Sequence, residues 1–248
     1  MRHRLLDYTI SMKGIIIVNK PKGLTSMDVI RVIRRLTGEK RVGHSGTLDP
    51  MATGVLPVFI GREMTRQISK YMEGKKGYLA EMTLGVETDT GDAEGKILNT
   101  KFETLNKSKF SKLKIQNQLQ TILNEFVGEI EQVPPMYSAI HHEGKRLYEL
   151  AREGKEVERK PRKVTIYEIK FINYKEEEYP KVTFECLCSK GTYIRSLAVD
   201  LGQRLGCGAH LSALTRIYSE PFSLKETHSL EEIEDCFLKN QENRLFIL

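Results

Sequence analysis

The chain has no Cys-x-x-Cys pair, no glycine-rich phosphate loop of the Walker type, no dinucleotide fingerprint and no histidine spacing suited to zinc. Nothing in it therefore supplies a site for a metal, a redox carrier or a nucleotide cofactor. No apolar run approaches the ~20 residues that a membrane helix needs. The segment Met1 to Tyr8 lacks the apolar centre of a secretory signal. A soluble, cytoplasmic protein is the expectation. The four cysteines, Cys186, Cys188, Cys207 and Cys236, do not suggest a disulfide framework in a chain of 248 residues without secretion signals. They read as small apolar fillers. There is no internal repeat and no long disordered linker.

What remains is an ordinary globular balance, 40% hydrophobic and 29% charged, enough for one large or two modest domains. The net charge of +6 is unevenly spread. Residues 1–76 hold 15 lysines and arginines against 6 acids, a surplus of +9, and the rest holds 24 against 27, or −3. The N-terminal third is thus a candidate footprint for a polyanion, although Lys and Arg also gather on solvated helix faces. Lys155, Arg159, Lys160, Arg162 and Lys163 form a second basic cluster, which reads equally as phosphate contacts or as a solvated loop.

Periodicity gives the elements. Ile15-Ile16-Ile17-Val18 reads as a buried strand ended by a turn at Lys20-Pro21-Lys22-Gly23. Thr25 and Asp28 make a capping box for a basic amphipathic helix. Thr65 to Met72 reads as a helix, and Tyr78, Ala80, Met82 and Leu84 share one face of a strand. Gly85 to Gly95 is a polar loop. Ile115, Leu119, Ile122, Leu123 and Phe126 fit a helix packed on the core, and Lys145 to Gly154 a short helix with Gly154 past its end. Val164 to Tyr174 is strand-like, and Val182, Phe184, Cys186 and Cys188 face inward from another strand. A helix follows whose buried stripe is Ile194, Leu197, Ala198, Leu201 and Leu205, with Arg195 in its first turn but off that stripe. Ser229 starts a last short helix. His141 and His142 read as exposed. Strands and helices mingle without a βαβ rhythm, which predicts an α+β fold with a mixed, largely antiparallel sheet.

One loop stands out: Gly43-His44-Ser45-Gly46-Thr47-Leu48-Asp49-Pro50-Met51-Ala52-Thr53-Gly54. Its small residues let the backbone turn tightly and approach a bulky ligand. Pro50 biases Asp49 toward extended geometry, so a lone carboxylate can reach into a pocket. The same letters also describe a glycine-rich turn whose Asp bonds its own backbone.

The wording of that loop resembles the active-site loop of the TruB family of tRNA pseudouridine synthases, which usually has Thr where this chain has Ser45 and most often Leu where it has Met51. Four other motifs match in the family's order: Val18-Asn19-Lys20-Pro21-Lys22-Gly23, Lys76-Gly77-Tyr78, Pro134-Pro135-Met136-Tyr137-Ser138-Ala139 and Gly191-Thr192-Tyr193-Ile194-Arg195. The resemblance runs from about Met12 to about Leu224. It implies the pseudouridine synthase fold, a central sheet with helices around it and a catalytic cleft on one face. It also implies a domain plan, with residues 1–11 an N-terminal extension, 12–228 the catalytic domain, and 229–248 a C-terminal helix and tail. The small PUA-type RNA-binding domain of many members is then absent or truncated.

The resemblance further implies conversion of uridine to pseudouridine in the T-stem-loop of tRNA, at uridine 55, by an isomerase that uses no cofactor and no metal. A monomer without an obligate protein partner is expected. Asp49 matches the essential aspartate, Arg195 the arginine that pairs with it, and Tyr78 an active-site tyrosine that stacks on the target or takes part in proton transfer. His44 matches a histidine that holds RNA distorted while the target base is extruded. Lys20 matches a lysine near the cleft, a substrate contact to phosphate or a structural support. An alternative is an RNA-binding or RNA-folding protein with little turnover. A third reading, a nucleoside-bond hydrolase, lacks the second motif acid.

Overall fold

The computed structural model describes residues 12–100 and 112–247, so the extension 1–11 lies outside the described residues, as does the side chain of Ile115. In chain order the first elements are β1 (Gly14–Lys20), α1 (Ser26–Thr37), β2 (Val42–His44), β3 (Thr53–Ile60), α2 (Arg62–Thr65) and α3 (Ile68–Met72). Next come β4 (Lys76–Leu84), β5 (Val86–Thr88), β6 (Ile97–Thr100), α4 (Lys112–Glu125), β7 (Gly128–Gln132), β8 (His141–His142) and β9 (Lys145–Arg146). Then follow α5 (Leu147–Arg152), β10 (Arg162–Lys175), β11 (Lys181–Cys188), α6 (Ile194–Arg204), β12 (Ala209–Ser219), β13 (Phe222–Ser223) and α7 (Leu230–Leu238). The composition is α+β. The chain forms two compact units, Met1–Glu73 with Ser219–Leu248, and Gly74–Tyr218.

In the first unit β1 and β2 both pair antiparallel with β3, in register Gly14↔Ile60 and Val42↔Ile60. The apolar run Ile15 to Val18 is buried throughout, as a strand covered on both faces requires. Ile15, Ile17, Val55, Phe59 and Phe222 form one core cluster, with Met64, Ile68 and Tyr71 against it. The capping box is present: Thr25 Oγ1 accepts from the Asp28 N–H at 3.1 Å, and the Thr25 N–H donates to Asp28 at 2.9 Å. Hydrogen bonding to Thr25 holds the Asp28 carboxyl below its ordinary range. The far edge of β1 is met by other chain. The Asn19 N–H donates to His228 O at 2.8 Å, and Ile15 and Ile247 exchange two bonds at 3.0 and 2.9 Å. The helix expected over Thr65 to Met72 is two shorter ones, because the backbone tightens to an i→i+3 bond from the Gln67 N–H to Met64 O.

In the second unit the strand order is β12-β4-β11-β10-β7. β4 pairs antiparallel with β11, in register Tyr78↔Cys186, and β11 with β10. α4 touches β10 and α6, and α6 touches β4. Ala80, Met82, Phe184, Ile166, Leu119, Leu197 and Leu201 are buried. Cys186 and Cys188 are buried free thiols on one side of β11. A hydrogen bond to Cys188, and then burial, hold the Cys186 thiol far above its ordinary range, so it stays protonated and packs as a small hydrophobe. The helix expected from Lys145 begins only at Leu147. Lys145 and Arg146 instead pair with His142 and His141 across a two-residue turn, Glu143-Gly144, with positive φ at both positions. The polar segment Gly85 to Gly95 contains β5, which pairs with β6.

Candidate active site

Asp49 sits in the connection from β2 to β3, half-buried, in the first unit. Its neighbours Leu48, Met51 and Ala52 are buried and pin the loop. The backbone on both sides of Asp49 is anchored. On one side Ser26 Oγ accepts from the Leu48 N–H at 2.9 Å and donates to the Leu48 C=O at 3.2 Å. On the other, Pro50 O accepts from the Gly23 N–H at 2.8 Å and from Lys20 Nζ at 3.2 Å. The Ala52 N–H closes a turn onto Asp49 O at 3.0 Å. Gly46 and Gly54 have φ of +116° and +100°, which only glycine adopts without strain. The segment that the sequence made conspicuous is therefore a rigid mount for one carboxylate.

Lys20 lies beneath that mount. It is 0% exposed, and its ammonium also donates to Pro21 O at 2.9 Å and Leu24 O at 2.5 Å. Buried charge is tolerated only when its donors are met, and three carbonyls meet them here. The ammonium is closed to solvent and bonded to the backbone of the loop that carries Asp49. His44 ends β2, half-buried, opposite Val58 on β3 and five positions before Asp49.

Tyr78 and Arg195 belong to the second unit. Tyr78 is 9% exposed on β4. Arg195 is 4% exposed in the first turn of α6, so it lies among that helix's buried residues and not off the stripe. The cause is a set of acceptors supplied from far away in the chain. Its guanidinium donates to Tyr137 O at 2.7 Å and Thr90 O at 3.4 Å, and sits 3.4 Å from the Asp92 carboxylate. Asp92 is itself buried, and it accepts from Thr90 Oγ1 at 2.6 Å and the Glu94 N–H at 3.1 Å. Gln132, 2% exposed, holds the start of α6: it accepts from the Tyr193 N–H at 2.8 Å and donates to Tyr193 O at 3.0 Å. Sequence reasoning passed over both residues. Asp92 lay among the acids of a polar loop, and Gln132 gave no signal. No group of three or more His, Cys, Asp or Glu side chains placed to hold a metal ion occurs among the described residues. No helix among them is long and apolar enough to cross a membrane.

The first unit thus carries one carboxylate, Asp49, on an anchored loop, and the second carries a guanidinium held by its acceptors, Arg195, and a buried phenol, Tyr78. The model of the TruB family pseudouridylate synthase N-terminal domain matches residues 34–194 of the chain, and that of the tRNA pseudouridylate synthase B C-terminal domain matches residues 195–247. The chain is similar to tRNA pseudouridine synthase B of Clostridium kluyveri, at 48% identity over 223 residues, 90% of this chain and 73% of that protein. It is similar to the same enzyme of Alkaliphilus oremlandii, at 47% identity over 234 residues, 92% of this chain and 74% of that protein. Among solved structures it resembles a Cbf5-Nop10-Gar1 complex, with a TM-score of 0.69 and 29% identity over 94% of this chain and 59% of that one. It also resembles an H/ACA ribonucleoprotein bound to a substrate RNA containing 2′-deoxyuridine, with a TM-score of 0.67 and 26% identity over 98% of this chain and 61% of that one. This chain thus spans about three fifths of the length of those two chains. The fold is that of the pseudouridine synthases.

Proposed function

We propose a function from one premise: this chain belongs to the TruB family of pseudouridylate synthases. The chain isomerises uridine to pseudouridine in tRNA, and its target is uridine 55 of the T-loop. The bond from ribose C1′ to N1 of uracil breaks, the base rotates, and C1′ rejoins it through C5. The C5 proton leaves and N1 takes one up, so atoms and charge balance without an added reactant.

Breaking the glycosidic bond places positive charge on the sugar, or calls for a nucleophile that traps it. Asp49 supplies the carboxylate for either course. The observation that carries this reading is the mount itself, with the backbone hydrogen-bonded at Leu48 and at Pro50, one residue to each side of Asp49. A group so held loses little freedom at the transition state, which is how positioning lowers a barrier. In this reading Arg195 keeps the role that the family resemblance gives it, the arginine partner of the catalytic aspartate, and Asp92 and Tyr137 O hold its planar guanidinium within its own unit. Tyr78 stacks on the extruded uracil or its ribose and moves a proton there. His44 fills the space the base vacates, offsetting part of the few kcal/mol that extrusion costs.

The test is tritium release from tRNA carrying 5-tritiated uridine. Asp49→Asn keeps the shape of the loop and removes the charge. Release falls at least ~10⁴-fold, as when a covalent or charge-stabilising group is lost. Undiminished release would sink the mechanism. Binding of tRNA with no pseudouridine from the unaltered chain would leave an RNA-binding protein in its place.

A further inference from the structure

The second unit holds a cavity of about 280 Å³ apart from the residues described above. Its floor is apolar, made by Pro134, Ile140 and Leu147. The imidazoles of the β8 hairpin, exposed His141 and half-buried His142, line one side. Arg159, Lys160 and Arg162 line another, with Glu158 the one carboxylate among the lining side chains. The structure sorts the second basic cluster of the sequence. Lys155 pairs with Glu153 at 2.8 Å and Lys163 with Glu129 at 2.7 Å, and neither lines the cavity. Arg159 is fixed at its rim, donating to Pro134 O at 3.3 Å and to Glu156 at 3.1 Å, while its buried Nε has no acceptor among the described residues. Lys160 and Arg162 have no carboxylate partner among the described residues.

This combination has a recognisable chemistry. Flat rings and an apolar floor suit a nucleobase, which stacks and packs without regard to sequence. Unpaired cations beside them, Lys160 and Arg162, suit a phosphate, and the Arg159 guanidinium, held by Pro134 O and Glu156, adds a fixed planar charge at the rim. The volume is at the small end for a ligand site, room for one nucleotide and too little for a duplex. We propose that this cavity binds one unpaired nucleotide of the RNA substrate, other than the uridine that is isomerised, with its base on Pro134, Ile140 and Leu147 and its phosphate on Arg159, Lys160 and Arg162. The inference rests on the reading above that RNA is the substrate. It adds a contact that holds the RNA from the second unit.

The experiment is run in the Asp49→Asn chain, so that binding is scored without turnover. Affinity for an unmodified tRNA transcript is measured across a salt series, with and without Lys160→Ala/Arg162→Ala. Both positions are exposed, and an unchanged melting temperature confirms the fold. The double variant binds at least fivefold more weakly at low salt, and its log–log salt slope is smaller by about 1 to 2. Ile140→Trp, which fills the cavity and leaves the charge alone, weakens binding with the slope intact. The Ile140 methyl resonance shifts saturably as the transcript is added. Unchanged affinity and slope in the double variant overturn the proposal. So does an unmoved Ile140 methyl, which would reduce the cluster to diffuse attraction. A shift with uridine 5′-monophosphate but none with the transcript marks a free nucleotide as the ligand and overturns the RNA assignment. If the unaltered chain makes no pseudouridine, the reaction assigned above fails, while the binding series still decides this one.

Discussion

A cation inside a protein is tolerable only where its donors find acceptors, and two of the residues assigned to this site meet that condition in different ways. Arg195 has a carboxylate and two carbonyls in reach, so it is both immobile and charged. Lys20 has three carbonyls, one of them Pro50 O at the base of the Asp49 loop. Lys20→Met keeps the stem and deletes the donors. It strands buried carbonyls, at a cost of about 2 kcal/mol or more. It also frees one of the two anchors beside Asp49, and misplacement by an ångström lowers kcat roughly 100-fold. Thermal unfolding and tritium release read the two effects, with exposed Lys22→Met as the control that changes neither. A Lys20→Met chain with unaltered melting temperature and rate would show that the brace is dispensable.

At the scale of elements, α6 sets where Arg195 stands, and a glycine sets where α6 stands. A Cβ on Gly202 would lie 2.3 Å from the Ala209 nitrogen and 2.5 Å from the Gly208 carbonyl carbon, both backbone. Helix propensity alone favours Gly→Ala by about 1 kcal/mol. Gly202→Ala here does the opposite and lowers stability by about 1 kcal/mol or more, because neither backbone atom can yield cheaply. Denaturant unfolding measures the sign, against Gln203→Ala on the exposed side of the same helix. Much of the architecture was legible from periodicity, as α1, β1, β4, β11 and α7 show. β7 was not, since Gly-Glu-Ile-Glu-Gln offers a single apolar residue. Nor was β12, where His210 and Arg216 are polar letters at buried positions. The same limit applies to the site. The loop that carries Asp49 stood out because its glycines and Pro50 are neighbours in sequence. The burial of Arg195 was not legible, because the acceptors that permit it lie 58 and 105 positions away. Gln132 acts 61 positions from its target, and no spacing rule reaches that far.

At the scale of the whole chain, the first unit is assembled from two stretches, with the entire second unit between them in sequence. Closing so long a loop costs little more entropy than closing a shorter one, since the penalty grows only with the logarithm of length. Its effect falls on kinetics, because distant pairings form late. The bonds that cover the edge of β1 come from His228 and Ile247, whereas the strand they cover begins at Gly14. On a ribosome, the segment bearing Asp49 is made long before the residues that seal its sheet. Nascent chains stalled before Ser219 will leave α1 open to protease, and chains released past Ile247 will protect it; equal protection in the two would refute the dependence. The carboxylate loop is thus synthesised early and finished late, so a partly translated chain carries the whole Asp49 loop without the strand-edge bonds that complete the sheet beneath it.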